Sequence, residues 1–149
     1  MENKPTYTLD KTERLKSRKA IEQLFADGKS FSLFPFKVIY KKAIINDALP
    51  ITNNKQQITN TNLQTAFSVS KRYFKKAVHR NRIKRLMREA YRLQKNDLQT
   101  CLQQSNKSLV VFIIYLSNEL PEYGVVMEKM NAVLRRLKKI TDEETVAHT

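Results

Sequence analysis

Between Lys71 and Arg92 the chain packs ten basic side chains into 22 residues against a single acid, Glu89, and spaces them on a helical period. With Ile83 set at zero and about 100° turned per residue, Leu86, Met87 and Ala90 fall within about 60° of it, while Asn81, Arg85, Arg88 and Arg92 gather at about 140–200°. A helix divided in this way must lay one side on a core and present a cationic rod on the other. Acidic partners one turn away are almost absent, and like charges at that spacing repel, so an ordinary solvated face is a poor account of the pattern. Arginine outnumbers lysine, and its planar fork suits phosphate and stacks on bases. The whole chain repeats the bias, with 28 Lys+Arg against 14 Asp+Glu over 149 residues, a net charge of +14. An excess of this size opposes folding through self-repulsion and is tolerated where a polyanion neutralises it. Nucleic acid is the first candidate and an anionic membrane surface the second.

The rest of the chain has to supply the core on which that helix lies. Leu15, Ile21, Leu24 and Phe25 recur at helical spacing, predicting a helix near 12–26, with Gly28 near its stop. Residues 31–45 mix aromatic and β-branched side chains, and Phe36, Val38 and Tyr40 share one face of a strand that starts at Pro35. Residues 46–64, rich in Asn, Thr and Gln, read as an exposed loop insertion. Leu63–Ser70 alternates, with Phe67 and Val69 facing a core and Ser68 and Ser70 the opposite side. The basic helix follows over about 75–94. Ser108–Leu116 is an almost unbroken apolar run of strand length, consistent with a strand covered on both faces. Pro121 opens a final helix striped by Val125, Val126, Met130, Val133, Leu134 and Leu137, with Arg135, Arg136, Lys138 and Lys139 in its last turns.

The order αβββαβα makes a single α+β domain over 11–140, with 1–10 and 141–149 read as flexible ends. No stretch reaches the roughly 18 to 20 apolar residues of a membrane span, and the first ten residues lack a signal peptide's apolar segment, so a cytoplasmic protein without membrane partners is expected. The one cysteine, Cys101, reads as a free thiol inside a helix, and His79 as a surface residue. No carboxylate cluster, nucleophile–base pair or phosphate-cradling glycine loop stands out, so no catalytic residue and no metal ligand is assigned.

The stretch Phe67-Ser-Val-Ser-Lys-Arg-Tyr-Phe-Lys-Lys-Ala-Val-His-Arg-Asn-Arg-Ile-Lys-Arg-Leu-Met-Arg-Glu-Ala-Tyr-Arg92 closely resembles the signature region of the bacterial ribonuclease P protein family, centred on Arg80-Asn81-Arg82 and its basic continuation. Arg14-Leu15-Lys16, Leu24-Phe25, Gly28, the apolar strand at 109–115 and the last helix extend the resemblance over most of 9–139. Ile21 departs from it where many members carry an aromatic, as does Ala66 where glycine is usual; Lys75-Lys76 replaces the Gly-Asn of some members.

The resemblance implies a protein cofactor of an endoribonuclease that removes the 5′ leader of precursor tRNA. Its RNA subunit, with bound Mg²⁺, carries the chemistry, so the protein alone should be inactive. It implies a monomer that binds the RNA subunit one to one, and a left-handed crossover around the basic helix. Lys71, Arg72, Lys76, Arg80, Asn81, Arg82, Lys84, Arg85, Arg88 and Arg92 are the expected contacts to the RNA subunit. Phe25, Phe36, Tyr40, Ser68 and Ser70 are expected to line a cleft for the single-stranded leader, where bases stack. A ribosomal or other structural RNA-binding protein is the alternative, and it predicts basic residues spread over loops and tails.

Overall fold

The computed structural model describes residues 14–44, 63–105 and 107–147. The amino-terminal segment 1–10 and positions 46–62 of the expected insertion lie outside the described residues. The domain is α+β, with a four-stranded mixed sheet in the order β1-β2-β4-β3.

Helix α1 spans Arg18–Asp27, and Ser17 caps it, its side chain accepting the Ala20 N–H at 3.2 Å. It therefore starts later than the apolar spacing suggests. Residues before it are extended instead, with Arg14 bridging Thr65 on the edge of the sheet and the Leu15 N–H donating to the Thr65 carbonyl at 3.1 Å. Gly28 closes the helix, its N–H donating to the Leu24 carbonyl at 2.7 Å. A Cβ at Gly28 would lie 2.5 Å from the Leu24 carbonyl oxygen and 2.9 Å from that of Tyr40, so close backbone approach requires glycine here.

Residues 31–45, where the spacing shows one strand face, belong to a hairpin: β1 (Lys29–Leu33) turns at Phe34-Pro35 into β2 (Phe36–Ile44), antiparallel, with Phe31 opposite Val38, so three strands precede the basic helix as expected. Strand β3 (Leu63–Val69) runs parallel to β4 (Lys107–Tyr115), and β2 pairs antiparallel with β4. Between β3 and β4 lie α2 (Ala77–Gln94) and a further helix, α3 (Asn96–Ser105), which the αβββαβα order omits. Its buried positions, Leu98, Cys101 and Leu102, are too sparse a stripe to stand out among glutamines. Helix α4 spans Tyr123–Ala147 and so passes residue 140, where a flexible tail is expected. Thr141 is buried there, its hydroxyl donating to the Leu137 carbonyl at 3.0 Å.

The sheet divides the molecule into unequal layers. On its inner face Phe36, Val38 and Tyr40 of β2, Leu109, Val111, Ile113 and Tyr115 of β4, and Leu63 and Val69 of β3 are buried. They meet Ile83, Met87, Ala90 and Tyr91 of α2 and Val126, Met130, Val133, Leu134 and Leu137 of α4 in one cluster. Thr65 is the polar member of this face, donating from its hydroxyl to Tyr91 at 2.7 Å. Among the described residues, α1 and Leu15 lie against the outer face: Leu15, Leu24 and Ile39 form a small core, with Ile21, Ala66, Val110, Phe112 and Ile114 partly covered. Strand β4 is therefore fully buried on its inner side and partly covered on its outer side, which corrects the reading that both faces are equally covered.

Candidate nucleic-acid interface

Burial of Ile83, Met87, Ala90 and Tyr91 fixes the rotation of α2 and turns its other side to solvent. Asn81, Arg82 and Arg85 are exposed, and Lys84 and Arg88 are half-buried. Lys71, Arg72 and Lys76, in the approach to the helix, are exposed as well. No acid sits in the first turn and no side chain caps it, so its free N–H groups add partial positive charge to the same end.

Two arginines of the motif have partners within the protein. Arg80 donates from Nη1 to the carbonyls of Phe74 and Lys75, at 2.8 and 2.9 Å, and so holds the turn that leads into the helix. Arg92 forms a two-pronged bond with Glu89, at 3.0 and 2.9 Å, which offsets its charge. The outward cations closest in character to free phosphate binders are thus Arg82, Lys84, Arg85 and Arg88.

Lys84 and Arg88 do not stand alone. With Arg14, Lys16, Leu15, Thr65, Ala66 and Phe67 they line a pocket of about 250 Å³, where the extended amino-terminal segment, the β3 edge and α2 meet. Among the described residues four cations and no acid line it. Arg14 and Lys16 are site residues that reading the helix in isolation misses; the clue is that Leu15, between them, is the apolar residue that docks the segment.

The second surface is the groove beside α1 on the outer face of the sheet. Phe25 is 52% exposed, and its ring meets Phe112 edge-on with centroids 5.1 Å apart and planes at 82°. Phe112, Ile114, Ala66 and Ser68 are half-buried on the same face of the sheet, and Lys37 is exposed on the neighbouring strand.

The structure corrects two residues assigned to this groove. Phe36 is 1% exposed and Tyr40 8%, both in the inner core, Phe36 against Tyr115 and Tyr40 against Phe31 at centroid distances of 6.0 and 5.9 Å. Strand alternation sends Lys37, Ile39 and Lys41 to the outer side, and folding buries the wholly apolar trio rather than the one holding two lysines. Ser68 does face the groove side of β3. Ser70 lies past the strand end, its Oγ accepting the Arg72 N–H at 3.1 Å, and acts in the turn. Phe112 and Ile114 stand on the outer face, where Phe36 and Tyr40 are expected. An unbroken apolar strand conceals its own parity, whereas the lysines of β2, carried through the pairing of Lys37 with Ile114, reveal it.

Among the described residues no group of three His, Cys, Asp or Glu side chains is placed to hold a metal ion, and no helix is long and apolar enough to cross a membrane. Cys101 is buried in α3; burial, then its 3.2 Å hydrogen bond to Asp142, pushes its thiol above the usual range.

The family model for ribonuclease P matches residues 9–138. The ribonuclease P protein component of Porphyromonas gingivalis is 34% identical over 137 residues, covering 92% of this chain and 91% of that one. That of Chlorobium phaeobacteroides is 28% identical over 138 residues, covering 88% of each. The fold is similar to that of the ribonuclease P protein from Thermotoga maritima, with a TM-score of 0.58 at 23% identity, over 83% of this chain and 96% of that one. The Staphylococcus aureus protein gives 0.51 at 21% identity, over 86% and 94%.

Proposed function

Because the chain belongs to the ribonuclease P protein family, we propose that it binds the RNA subunit of that enzyme through α2 and the single-stranded 5′ leader of precursor tRNA through the groove beside α1. The observation that carries this reading is the convergence of Arg14, Lys16, Lys84 and Arg88 on one pocket, among whose described lining residues there is no acid, continuous in sequence with the exposed Arg82 and Arg85. Cations drawn from two distant segments onto one site repel one another, and an RNA backbone offsets that repulsion. The groove complements it: Phe25 and Phe112 offer ring faces and edges to unpaired bases, and Lys37 meets a phosphate.

Hydrolysis falls to the RNA subunit and the Mg²⁺ it holds. This chain's own contacts are guanidinium, ammonium and amide groups, which donate hydrogen bonds to phosphates and position them without activating water. Its contribution is to raise the local density of positive charge where two RNAs meet and to grip substrate that still carries a leader. One copy of the chain acts per RNA subunit, in the cytoplasm where precursor tRNA is made.

Reconstitution tests this. The full chain, mixed with a bacterial ribonuclease P RNA at Mg²⁺ too low for the RNA alone to work, should restore removal of the 5′ leader. Failure to bind that RNA or to stimulate cleavage overturns the reading.

A further inference from the structure

The turn from β3 into α2 carries a side chain that neither the core nor the cationic face uses. Tyr73 is 44% exposed, with Lys71, Arg72, Lys75 and Lys76 exposed on either side of it in sequence. Its neighbour Phe74 points the other way, buried with its ring 6.2 Å from that of Tyr115. Among the described residues no aromatic ring packs on Tyr73.

The backbone that displays Tyr73 is held at several points. The Ser70 carbonyl accepts the Phe74 N–H at 3.2 Å, and Ser70 Oγ accepts the Arg72 N–H. Arg80 reaches back from α2 to the carbonyls of Phe74 and Lys75. Phe74 anchors the same turn in the core. Tyr73 therefore stands on a fixed platform, and fixing it beforehand reduces the ordering that a ligand must impose. A turn of this kind is usually filled by Gly, Asn, Asp or Ser. An aromatic here leaves apolar area in water, an arrangement that becomes favourable when a flat ligand covers it. Val78, 73% exposed in the first turn of α2, adds apolar surface close by in the chain.

A ring among four cations has the composition of a single-strand platform, in which the ring takes a base and the cations take the phosphates on either side. We propose that Tyr73 is a stacking site for one unpaired nucleobase of RNA, separate from the Phe25–Phe112 groove. The inference rests on the RNA-binding reading above and adds a specific contact to it. The base comes from an unpaired nucleotide of the RNA subunit or from the precursor leader.

The test compares the full chain with Tyr73→Phe, Tyr73→Leu and Tyr73→Ala. Kd is measured for a bacterial ribonuclease P RNA and, in the reconstituted holoenzyme, for precursor and mature tRNA. Because the residue is exposed, all three variants should melt within about 2 °C of wild type. Tyr73→Ala and Tyr73→Leu should lose about 5-fold to 150-fold in affinity, the range of a base stacked on an aromatic ring, and Tyr73→Phe should stay within about twofold. A loss in the RNA-subunit arm places the base in the catalytic RNA; a loss confined to precursor tRNA places it in the leader. Tyr73→Ala binding as wild type does in both arms overturns the inference, and so does Tyr73→Phe falling as far as Tyr73→Ala. If the wild-type chain binds no RNA, it is the RNA-binding reading itself that fails.

Discussion

Phe36→Ala and Phe112→Ala remove the same ring from opposite faces of one sheet, and the structure separates their consequences. Phe36 is buried beneath the helices with its ring on Tyr115, so truncation leaves a cavity in the inner core. A buried Phe→Ala change costs about 3–5 kcal/mol. In a domain of this size each kcal/mol moves Tm by about 2–4 °C, so Tm should fall by about 6–20 °C. Phe112 is half-buried, and its loss removes an edge-to-face pair with Phe25 worth about 0.5–1.5 kcal/mol and part of a ring's burial. Its Tm should fall by half as much or less. Precursor tRNA binding by the holoenzyme should reverse the ranking: Phe112→Ala loses about 1–3 kcal/mol, or about 5-fold to 150-fold, and mature tRNA, which has no leader, binds as before. The assays are thermal unfolding by circular dichroism and Kd for the two tRNA forms. A Phe36→Ala protein that melts like wild type yet loses precursor affinity would refute the assignment of faces, as would equal losses for precursor and mature tRNA in Phe112→Ala.

Arg80 and Arg82 should part in the same manner. Arg80→Ala removes both bonds to the Phe74 and Lys75 carbonyls and should speed proteolysis in the 70–76 turn as well as weaken RNA binding, whereas Arg82→Ala should weaken RNA binding alone. Cys101 should react with iodoacetamide at pH 8 far more slowly in the native protein than in denaturant, because burial and Asp142 hold it as the thiol; equal rates would contradict that environment.

The basic helix was the most legible part of the chain because its two faces differ in charge as well as in hydropathy: Ile83 and Met87 are buried, and Arg82 and Arg85 exposed, as the 3.6-residue period requires. The parity of β2 was equally present in the sequence. Lys37 and Lys41 mark the outer face, but the aromatic character of Phe36 and Tyr40 suggests stacking and draws the assignment to the wrong side. The reason is general: aromatic rings serve cores and base platforms alike, and only the company on the opposite face separates the two uses. Two features depend on tertiary context. The pocket at Arg14 and Lys16 exists because Leu15 bonds to the β3 edge, a pairing between residues about fifty positions apart that no local period encodes. Helix α3 is stabilised by docking Leu98 and Leu102 rather than by a strong apolar stripe of its own.

The central claim, that the outward face of α2 and its pocket grip an RNA backbone, is tested most directly by the salt dependence of binding to a bacterial ribonuclease P RNA. Plotted as log K against log salt, the wild-type chain should give a steep negative slope, since each neutralised phosphate contributes about −0.9 on duplex or −0.7 on single strand. Arg85→Ala and Arg88→Ala should each flatten that slope by about one such increment and leave Tm nearly unchanged, because both side chains lie away from the Ile83–Met87 core face. A slope near zero for wild type, or variants with the wild-type slope, would contradict the account.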